Sequence, residues 1–260
     1  MATTEDGVSD KSAIEWTDAT WNPTTGCSKV SPGCAHCYAE RLSLRFGQST
    51  KPWTPANALE NVKIHEGRLE LPLRWRKPKR IFVDSMSDLF PELIPDWVVA
   101  RVWKTMALAP RHQFQVLTKR PERMPDIVGR RVHEYGVLPN VWLGTSIEND
   151  RWVDRADRLR ETLAAVRFVS AEPLLGPLPS LDLTDIDWLI VGGGSGSDHR
   201  PIRHEWVRDL RDRAGYAGTA FFFKQWGGRT SKSGGRQLDG RTWDEIPLLQ
   251  RDLIPEAALA

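Results

Sequence analysis

The sequence contains little cysteine. Its three cysteines among 260 residues, Cys27, Cys34 and Cys37, lie in one short segment, with six residues between the first two and two between the last two. An odd number of closely spaced thiols is a poor framework for disulfides and predicts a protein of a reducing compartment. Three thiolates cannot complete a tetrahedral metal site or bind all four irons of a [4Fe-4S] cluster, so one coordination position is left for another group.

The sequence also has no long apolar run and no large excess of charge. No apolar run reaches the roughly 18 residues that a membrane span needs, and residues 1–12 are polar and acidic, unlike a signal peptide. We therefore expect a cytoplasmic protein that does not bind membranes. The net charge of +2 and the pI of about 8.5 permit binding to a polyanion without requiring it.

What the sequence does have is an alternation of short apolar runs with longer stretches of helical periodicity. The runs predict strands at 20–22, 81–83, 114–117, 141–143, 166–169, 188–191 and 220–223, and the periodic stretches predict helices at 39–46, 56–64, 96–109, 121–134, 150–163 and 204–214. This alternation predicts an α/β fold, a full or partial (βα) barrel of six to seven parallel strands. An open doubly wound sheet is the alternative.

We expect a single domain at 13–247, with an irregular basic insertion at about 47–80. A disordered leader is expected at 1–12 and a C-terminal tail at 248–260.

Polar side chains follow most of the predicted strands. The active site of a barrel of this kind forms where the strands end, so we expect these side chains to line one cavity for a polar ligand. The candidates are Asp84, Ser85, Ser87, Asp88, Thr118, Lys119, Ser146, Glu148, Glu172 and Lys224. Lys224 is the candidate catalytic residue among them.

The three cysteines allow two kinds of metal site. Zinc is one, with His36 or a later histidine as the fourth ligand, but His36 lies between Cys34 and Cys37 and is badly placed to reach the same ion. A [4Fe-4S] cluster bound by three cysteines leaves one iron open, which is the arrangement of a cluster that acts on a molecule bound to it. The spacing favours the cluster and leaves zinc as the alternative.

Cysteines placed after the first strand of a βα barrel resemble those of radical S-adenosylmethionine (radical SAM) enzymes. Several further motifs closely resemble a phage-associated three-cysteine family found in phages and bacteria, over about residues 13–247. These motifs are IEWTDATWNP at 14–23, SMSDLF at 85–90, QVLTKR at 115–120, EPLLG at 172–176 and FFKQWGG at 222–228.

The radical SAM resemblance implies that Cys27, Cys34 and Cys37 bind a [4Fe-4S] cluster whose open iron is occupied by S-adenosylmethionine. His36 matches a position that usually carries an aromatic residue near the adenine. This sequence departs from the common pattern in having six rather than three residues between the first two cysteines. It also has DSMSD at 84–88 where a glycine-rich segment usually binds the methionine amino group.

From the same resemblance we expect cofactor contacts from the polar strand ends and an electron from an external donor such as flavodoxin or ferredoxin. The sequence has no second set of cysteines for an auxiliary cluster. Tyr38 is the candidate hydrogen relay. The expected cofactor contacts are His36, Asp84, Ser85, Ser87, Asp88, Thr118, Lys119, Ser146, Glu148 and Glu172.

Nucleic acid is the expected substrate, with DNA photolesion repair favoured over RNA modification and spore photoproduct lyase as a distant functional analogue. Basic residues near tryptophan and glycine suit phosphate contacts and base stacking. The candidates are Arg74, Trp75, Arg76, Lys77, Lys79, Arg80, Arg229, Lys232 and Arg236. The alternatives are a zinc-stabilised nucleic-acid-binding protein without catalysis and a radical SAM enzyme acting on a peptide or small metabolite.

Overall fold

The computed structural model describes residues 12–230 and 232–247. The predicted leader, apart from Ser12, and the predicted tail lie outside the described residues. No helix in the described part of the chain is both long and apolar enough to cross a membrane.

Seven parallel strands form the main sheet, and they are arranged in the order in which they occur along the chain. The strands of the chain are β1 (Ala19–Trp21), β2 (Thr24–Thr25), β3 (Lys63–Ile64), β4 (Arg80–Val83), β5 (Gln113–Thr118), β6 (Val141–Ser146), β7 (Val166–Ala171), β8 (Trp188–Gly192) and β9 (Ala220–Gln225). The β2 and β3 strands form a separate antiparallel pair, and all others belong to the main sheet.

The strand order confirms the predicted partial barrel. Because the order runs without reversal from β1 to β9, the chain does not switch direction as it does in a doubly wound sheet, and that alternative is wrong. Both β1 and β9 are edge strands of the described sheet, so the barrel is open rather than closed. Parallel strands place all their carboxyl ends at one end of this half-barrel.

Helices lie in the connections between successive strands of the main sheet, except between β7 and β8, where residues 172–187 contain no helix. They are α1 (Tyr38–Arg45), α2 (Ala58–Asn61), α3 (Asp96–Leu108), α4 (Met124–Tyr135), α5 (Asp154–Arg160) and α6 (His204–Ala217). Two are much shorter than predicted. The α2 helix ends after one turn because the chain continues into β3, and α5 begins late because residues Asp150–Trp152 form a 3-10 turn capped by the Asn149 side chain.

The two faces of the sheet have separate apolar cores. Alternate residues of β4 illustrate the division, since Ile81 and Val83 pack on the outer core with the helices whereas Phe82 points into the half-barrel. Eight buried residues fill the interior near the start of the strands: Trp16, Phe82, Trp142, Val166, Phe168, Trp188, Ile190 and Phe222. Polar residues replace them further along the strands, so the interior is closed at one end and open at the other.

The basic run at 74–80 lies where the strands begin, at the closed end. Arg80 is the first residue of β4 and pairs with Asp18, at 3.4 Å between Nη2 and Oδ1. The Lys79 ammonium lies 5.7 Å from the centre of the Trp75 ring, and Arg111 donates to the Trp75 carbonyl at 2.8 Å. These contacts attach the run to the outside of the fold.

Candidate functional site

A cavity of about 590 Å³ opens at the carboxyl ends of the strands. Its wall combines the cysteine loop, which we define as residues 26–37, with the ends of the parallel strands. Among the predicted site residues it contains Cys27, Cys34, His36, Cys37, Tyr38, Asp84, Ser85, Ser87, Asp88, Thr118, Lys119, Ser146, Glu172 and Lys224. The strand-end pattern therefore identified side chains that do share one cavity.

All three cysteines have free thiols and are half-buried in the cavity wall. Burial raises the pKa of the Cys27 thiol to about 12, with Asp88 adding to the rise and Arg120 opposing it. Burial also raises the pKa of Cys37. Without a metal or another cation these two thiols stay protonated at neutral pH.

The thiols lie in one wall without converging on a single point. Among the described residues, no group of three or more His, Cys, Asp or Glu side chains is arranged to hold one metal ion. A zinc ion needs its ligands within about 2.0–2.3 Å of one centre, whereas a [4Fe-4S] cluster distributes three thiolates over three iron atoms. Three thiols on one cavity wall, with an exposed His36 between two of them, are ligands of a kind that both zinc ions and iron–sulfur clusters use.

Arg120 binds the first half of the cysteine loop. Its guanidinium donates to the carbonyl of Ser28 at 2.6 Å and to the Ser28 hydroxyl at 2.9 Å, and Nη1 lies 3.4 Å from Cys27 Sγ. Asp88 orients this guanidinium at 3.3 Å and also accepts from the Thr118 hydroxyl at 2.7 Å. The end of β5 thereby fixes the position of Cys27.

Glu148 binds the second half of the loop. One carboxylate oxygen accepts from the Gly33 N–H at 3.0 Å, and the other lies 3.0 Å from Arg155 Nη1. Glu148 is fully buried and does not line the cavity, unlike the other predicted strand-end residues. The Gly33 backbone approaches so closely that a Cβ there would lie 2.9 Å from Glu148 Oε1, so a larger residue would force the Glu148 side chain to shift.

The segment after β4 is engaged in internal hydrogen bonds. Both Asp84 oxygens accept from Thr24, from its N–H at 3.0 Å and its hydroxyl at 2.9 Å. Burial raises the pKa of Asp84 to about 7, although the Thr24 hydrogen bonds oppose the rise. The Ser87 hydroxyl donates to the Gly26 carbonyl at 2.7 Å, and Ser85 Oγ donates to the Asn22 side chain at 3.1 Å.

Tyr38 is also held by this segment. Its hydroxyl donates to the Ser85 carbonyl at 2.7 Å, and 42% of the residue is exposed. Tyr38 follows Cys37 directly, so its ring lies at the cavity wall beside the cysteines. Its role as a hydrogen relay stays a prediction.

A Glu172–Lys224 ion pair faces the cavity from the opposite side. Lys224 Nζ lies 2.5 Å from Glu172 Oε1, and both side chains are largely but not fully buried. Glu172 follows β7 and Lys224 lies near the end of β9, with the last residue of β8, Gly192, between them. A Cβ at Gly192 would lie 3.4 Å from the Glu172 carboxyl carbon, an ordinary van der Waals contact, so the pair packs directly over this residue.

The structure separates the residues predicted to bind nucleic acid. Arg229 lines the cavity, whereas the run at 74–80 does not. Lys232 is exposed, and Arg236 pairs with Asp244 and stacks over the Phe222 ring. Their contact with nucleic acid stays a prediction.

Four basic residues of the site were missed as candidates: Arg41, Arg120, Arg155 and Arg200. Arg120 directly follows the predicted candidates Thr118 and Lys119, but nothing in the sequence marks it as the partner of Cys27. Arg41, Arg155 and Arg200 lie in or beside helices and loops, where an arginine is ordinarily a surface residue.

A family model described as "Protein of unknown function (DUF5131)" matches residues 11–247. The chain belongs to this family. No curated protein matches the DUF5131 chain. The family description states no activity, so the radical SAM resemblance stays a prediction that the site has to support.

Solved structures of spore photoproduct lyase are similar to this DUF5131 protein. A doubly substituted form with bound AdoMet and dinucleoside spore photoproduct has 14% identity and a TM-score of 0.44, covering 82% of this chain and 65% of that one. The lyase complexed with dinucleoside spore photoproduct has 14% identity and a TM-score of 0.42, covering 76% of this chain and 61% of that one. The chain thus spans less than two thirds of the length of these proteins.

Proposed function

We propose that this DUF5131 protein is a radical SAM enzyme in which Cys27, Cys34 and Cys37 bind a [4Fe-4S] cluster and S-adenosylmethionine occupies the adjoining cavity. The observation that carries the proposal is that all three thiols share one cavity of about 590 Å³ with the polar ends of the parallel strands. That volume is in the range of small-molecule and cofactor sites.

The cofactors would supply one chemical step: when bound, the reduced cluster would cleave S-adenosylmethionine to a 5′-deoxyadenosyl radical. The residues of this chain position and shield that chemistry. Arg120 and Glu148 fix the two halves of the cysteine loop, as their hydrogen bonds to Ser28 and Gly33 show. The apolar interior formed around Trp16 and Phe82 closes the inner end of the cavity against water.

The side chains facing the cavity are suited to binding a polar ligand. Lys224 and Glu172 present opposite charges on one wall, and the Lys119 ammonium lies on another without a carboxylate partner among the described residues. Such groups can hold the amino and carboxylate ends of an amino-acid moiety or protonate a reaction product. We retain Lys224 as the proposed catalytic residue and Tyr38 as the proposed hydrogen relay.

The proposed substrate is nucleic acid, with repair of a DNA photolesion ahead of RNA modification. The presence of Arg229 in the cavity wall supports this part of the proposal. An external flavodoxin or ferredoxin supplies the electron, since the three cysteines are all assigned to one cluster.

The test is anaerobic reconstitution of the full chain with iron and sulfide. We expect about four irons and four sulfides per chain, a brown absorbance, and 5′-deoxyadenosine when dithionite and S-adenosylmethionine are added. Cys34→Ala should lose the iron and the product together, whereas Thr50→Ala, a change at an exposed threonine that does not line the cavity, should keep both. A colourless protein that binds one zinc ion would overturn the proposal and favour the zinc alternative.

A further inference from the structure

We define the cavity rim as Arg41, Lys119, Arg200 and Arg229. We infer that these four side chains bind the phosphates of a nucleic acid strand. The inference rests on the proposed function in that the strand is the substrate of the site. It assigns the phosphate contacts to the open end of the half-barrel rather than to the basic run at 74–80.

The first support is the charge state of the rim. All four side chains line the cavity, and none forms an ion pair with a carboxylate in the described part of the chain. Arginines elsewhere on the molecule do pair, for example Arg208 with Asp239 at 2.5 Å. Uncompensated cations around one opening attract a polyanion and concentrate it there.

The second support is the way two of these cations lie against backbone. Arg41 packs directly on Gly196, where a Cβ would lie 2.6 Å from its Nη1. Arg200 donates to the carbonyl of Pro32 at 3.0 Å, which places its guanidinium beside the cysteine loop. Neither guanidinium uses its full set of donors in these contacts, so each keeps N–H groups for a phosphate.

The third support is the glycine-rich turn between these two arginines. Ser195 lines the cavity, and neither its N–H nor its hydroxyl has a hydrogen-bond partner among the described residues. The residues on either side of Ser195 are bonded to the loop that follows β9. The Gly196 N–H donates to the Gly228 carbonyl at 2.9 Å, and the Gly228 N–H donates to the Gly194 carbonyl at 3.1 Å. A free backbone N–H and a free hydroxyl between two guanidiniums form a suitable environment for an anionic oxygen.

The rim also offers an aromatic surface. Phe46 lines the cavity although 56% of it is exposed, and Leu42 lies beside it on α1. A nucleotide presents both a phosphate and a flat base, and a base of any sequence can stack on an exposed aromatic ring. The combination of unpaired cations with an exposed ring therefore favours a nucleic acid strand over a small inorganic anion.

The basic run at 74–80 cannot serve the same cavity. It lies at the start of the strands, and the buried aromatic cluster around Trp188 separates that end from the opening. A strand held at the run would have its bases at the closed end of the half-barrel. The rim, by contrast, lies next to the thiols.

The test is fluorescence anisotropy with a short fluorescein-labelled single-stranded DNA, measured on the full chain over a range of salt concentrations. Each of Arg41→Ala, Arg200→Ala and Arg229→Ala should weaken binding, and each should reduce the slope of log K against log salt by about 0.7, the value for one phosphate contact with a single strand. Arg158→Ala is the control with the same change of charge, because Arg158 is an exposed arginine that does not line the cavity. Its affinity and slope should equal those of the wild type.

Two results would overturn the inference: equal losses for Arg158→Ala and the rim variants, or losses confined to Arg74→Ala and Lys77→Ala. Competition separates the possible sources of the phosphate. The labelled DNA is displaced with inorganic phosphate, with a nucleoside monophosphate and with an unlabelled oligonucleotide, all at the same phosphate concentration. If either small anion displaces as much DNA as the oligonucleotide does, the rim is a site for a free anion and the inference is wrong. An RNA of the same sequence that binds more tightly than the DNA would make RNA the strand that the rim prefers.

The outcome is independent of the test of the proposed function. Formation of 5′-deoxyadenosine without substrate requires no nucleic acid. If the protein forms this product but the rim variants bind DNA as tightly as the wild type, only phosphate binding by the rim is refuted. A protein whose rim binds DNA but which forms no 5′-deoxyadenosine refutes only the radical SAM chemistry.

Discussion

Replacing Glu148 by glutamine is expected to lower the free energy of unfolding by about 3–5 kcal/mol. The Glu148 side chain is fully buried, and that of its partner Arg155 is 4% exposed. Glutamine keeps the volume and can still accept from the Gly33 N–H, but it leaves the Arg155 guanidinium as an uncompensated buried charge. The loss is large against the total stability of a natural domain, which is about 5–15 kcal/mol.

The assay is urea unfolding of the metal-free protein, followed by circular dichroism. Glu161→Gln is the matched control, because it breaks an Arg158–Glu161 pair of similar length, 2.9 Å, whose side chains are 55% and 50% exposed. That exposed pair should contribute less than about 1 kcal/mol. Equal losses for the two variants would refute the claim that burial makes the first pair costly to break.

A double-mutant cycle isolates the interaction. Arg155→Met removes the guanidinium that Glu148→Gln leaves without a partner, so the double variant should lose markedly less stability than the sum of the two single losses. Strictly additive losses would show that the two charges do not interact, and the proposed anchoring of Gly33 by a charged pair would then be wrong.

Three further predictions concern the same site. The pKa of Asp84 is about 7 in the folded protein and about 4 in an unfolded chain, so between these pH values the folded state binds one more proton than the unfolded state. The free energy of unfolding should therefore fall as pH rises from about 4 to about 7. Asp84→Asn should remove most of this fall in urea titrations, and an unchanged pH dependence would contradict the prediction. Arg120→Gln removes the N–H group that lies 3.4 Å from Cys27 Sγ. Because hydrogen bonds to sulfur stabilise the reduced state of a cluster, the reduction potential of the reconstituted protein should become more negative in an anaerobic redox titration. An unchanged potential would refute a hydrogen bond from Arg120 to the cluster ligand. Gly193→Ala places a Cβ 2.1 Å from a backbone oxygen and should prevent folding. The control Gly129→Ala in α4 meets nothing within 4 Å and should raise the free energy of unfolding by about 0.5–1 kcal/mol. A stably folded Gly193→Ala protein would show that the turn at Gly193 can relax.

The strands were predictable because their apolar runs are local. The predicted strand at 141–143 is the first half of β6 (Val141–Ser146), which continues through polar residues. Thr145 and Ser146 are buried all the same, because the strand has neighbours on both sides and Thr145 donates to the Thr118 carbonyl at 3.1 Å. The apolar pattern predicts the first residue of such a strand. Its last residue depends on hydrogen bonds to the neighbouring strands, which the pattern does not show.

The contacts that position the cysteines were not predictable. Gly33 and Glu148 are 115 residues apart, and Arg120 is 93 residues from Cys27. The strand-end rule brings such residues to one end of the fold, but it cannot say which side chain faces the cavity and which is buried behind it. The basic run at 74–80 was chosen by charge density, and only the structure shows at which end it lies.

The same contacts give the unusual cysteine spacing a physical reason. The six residues between Cys27 and Cys34 contain both anchoring points of the loop, Ser28 at the end of β5 and Gly33 beside the residues that follow β6. In a loop with three residues between the cysteines, two anchoring residues are at most two positions apart, whereas Ser28 and Gly33 are five positions apart. The longer loop is therefore matched to Arg120 and Glu148, and shortening it requires the loss of at least one of these anchors.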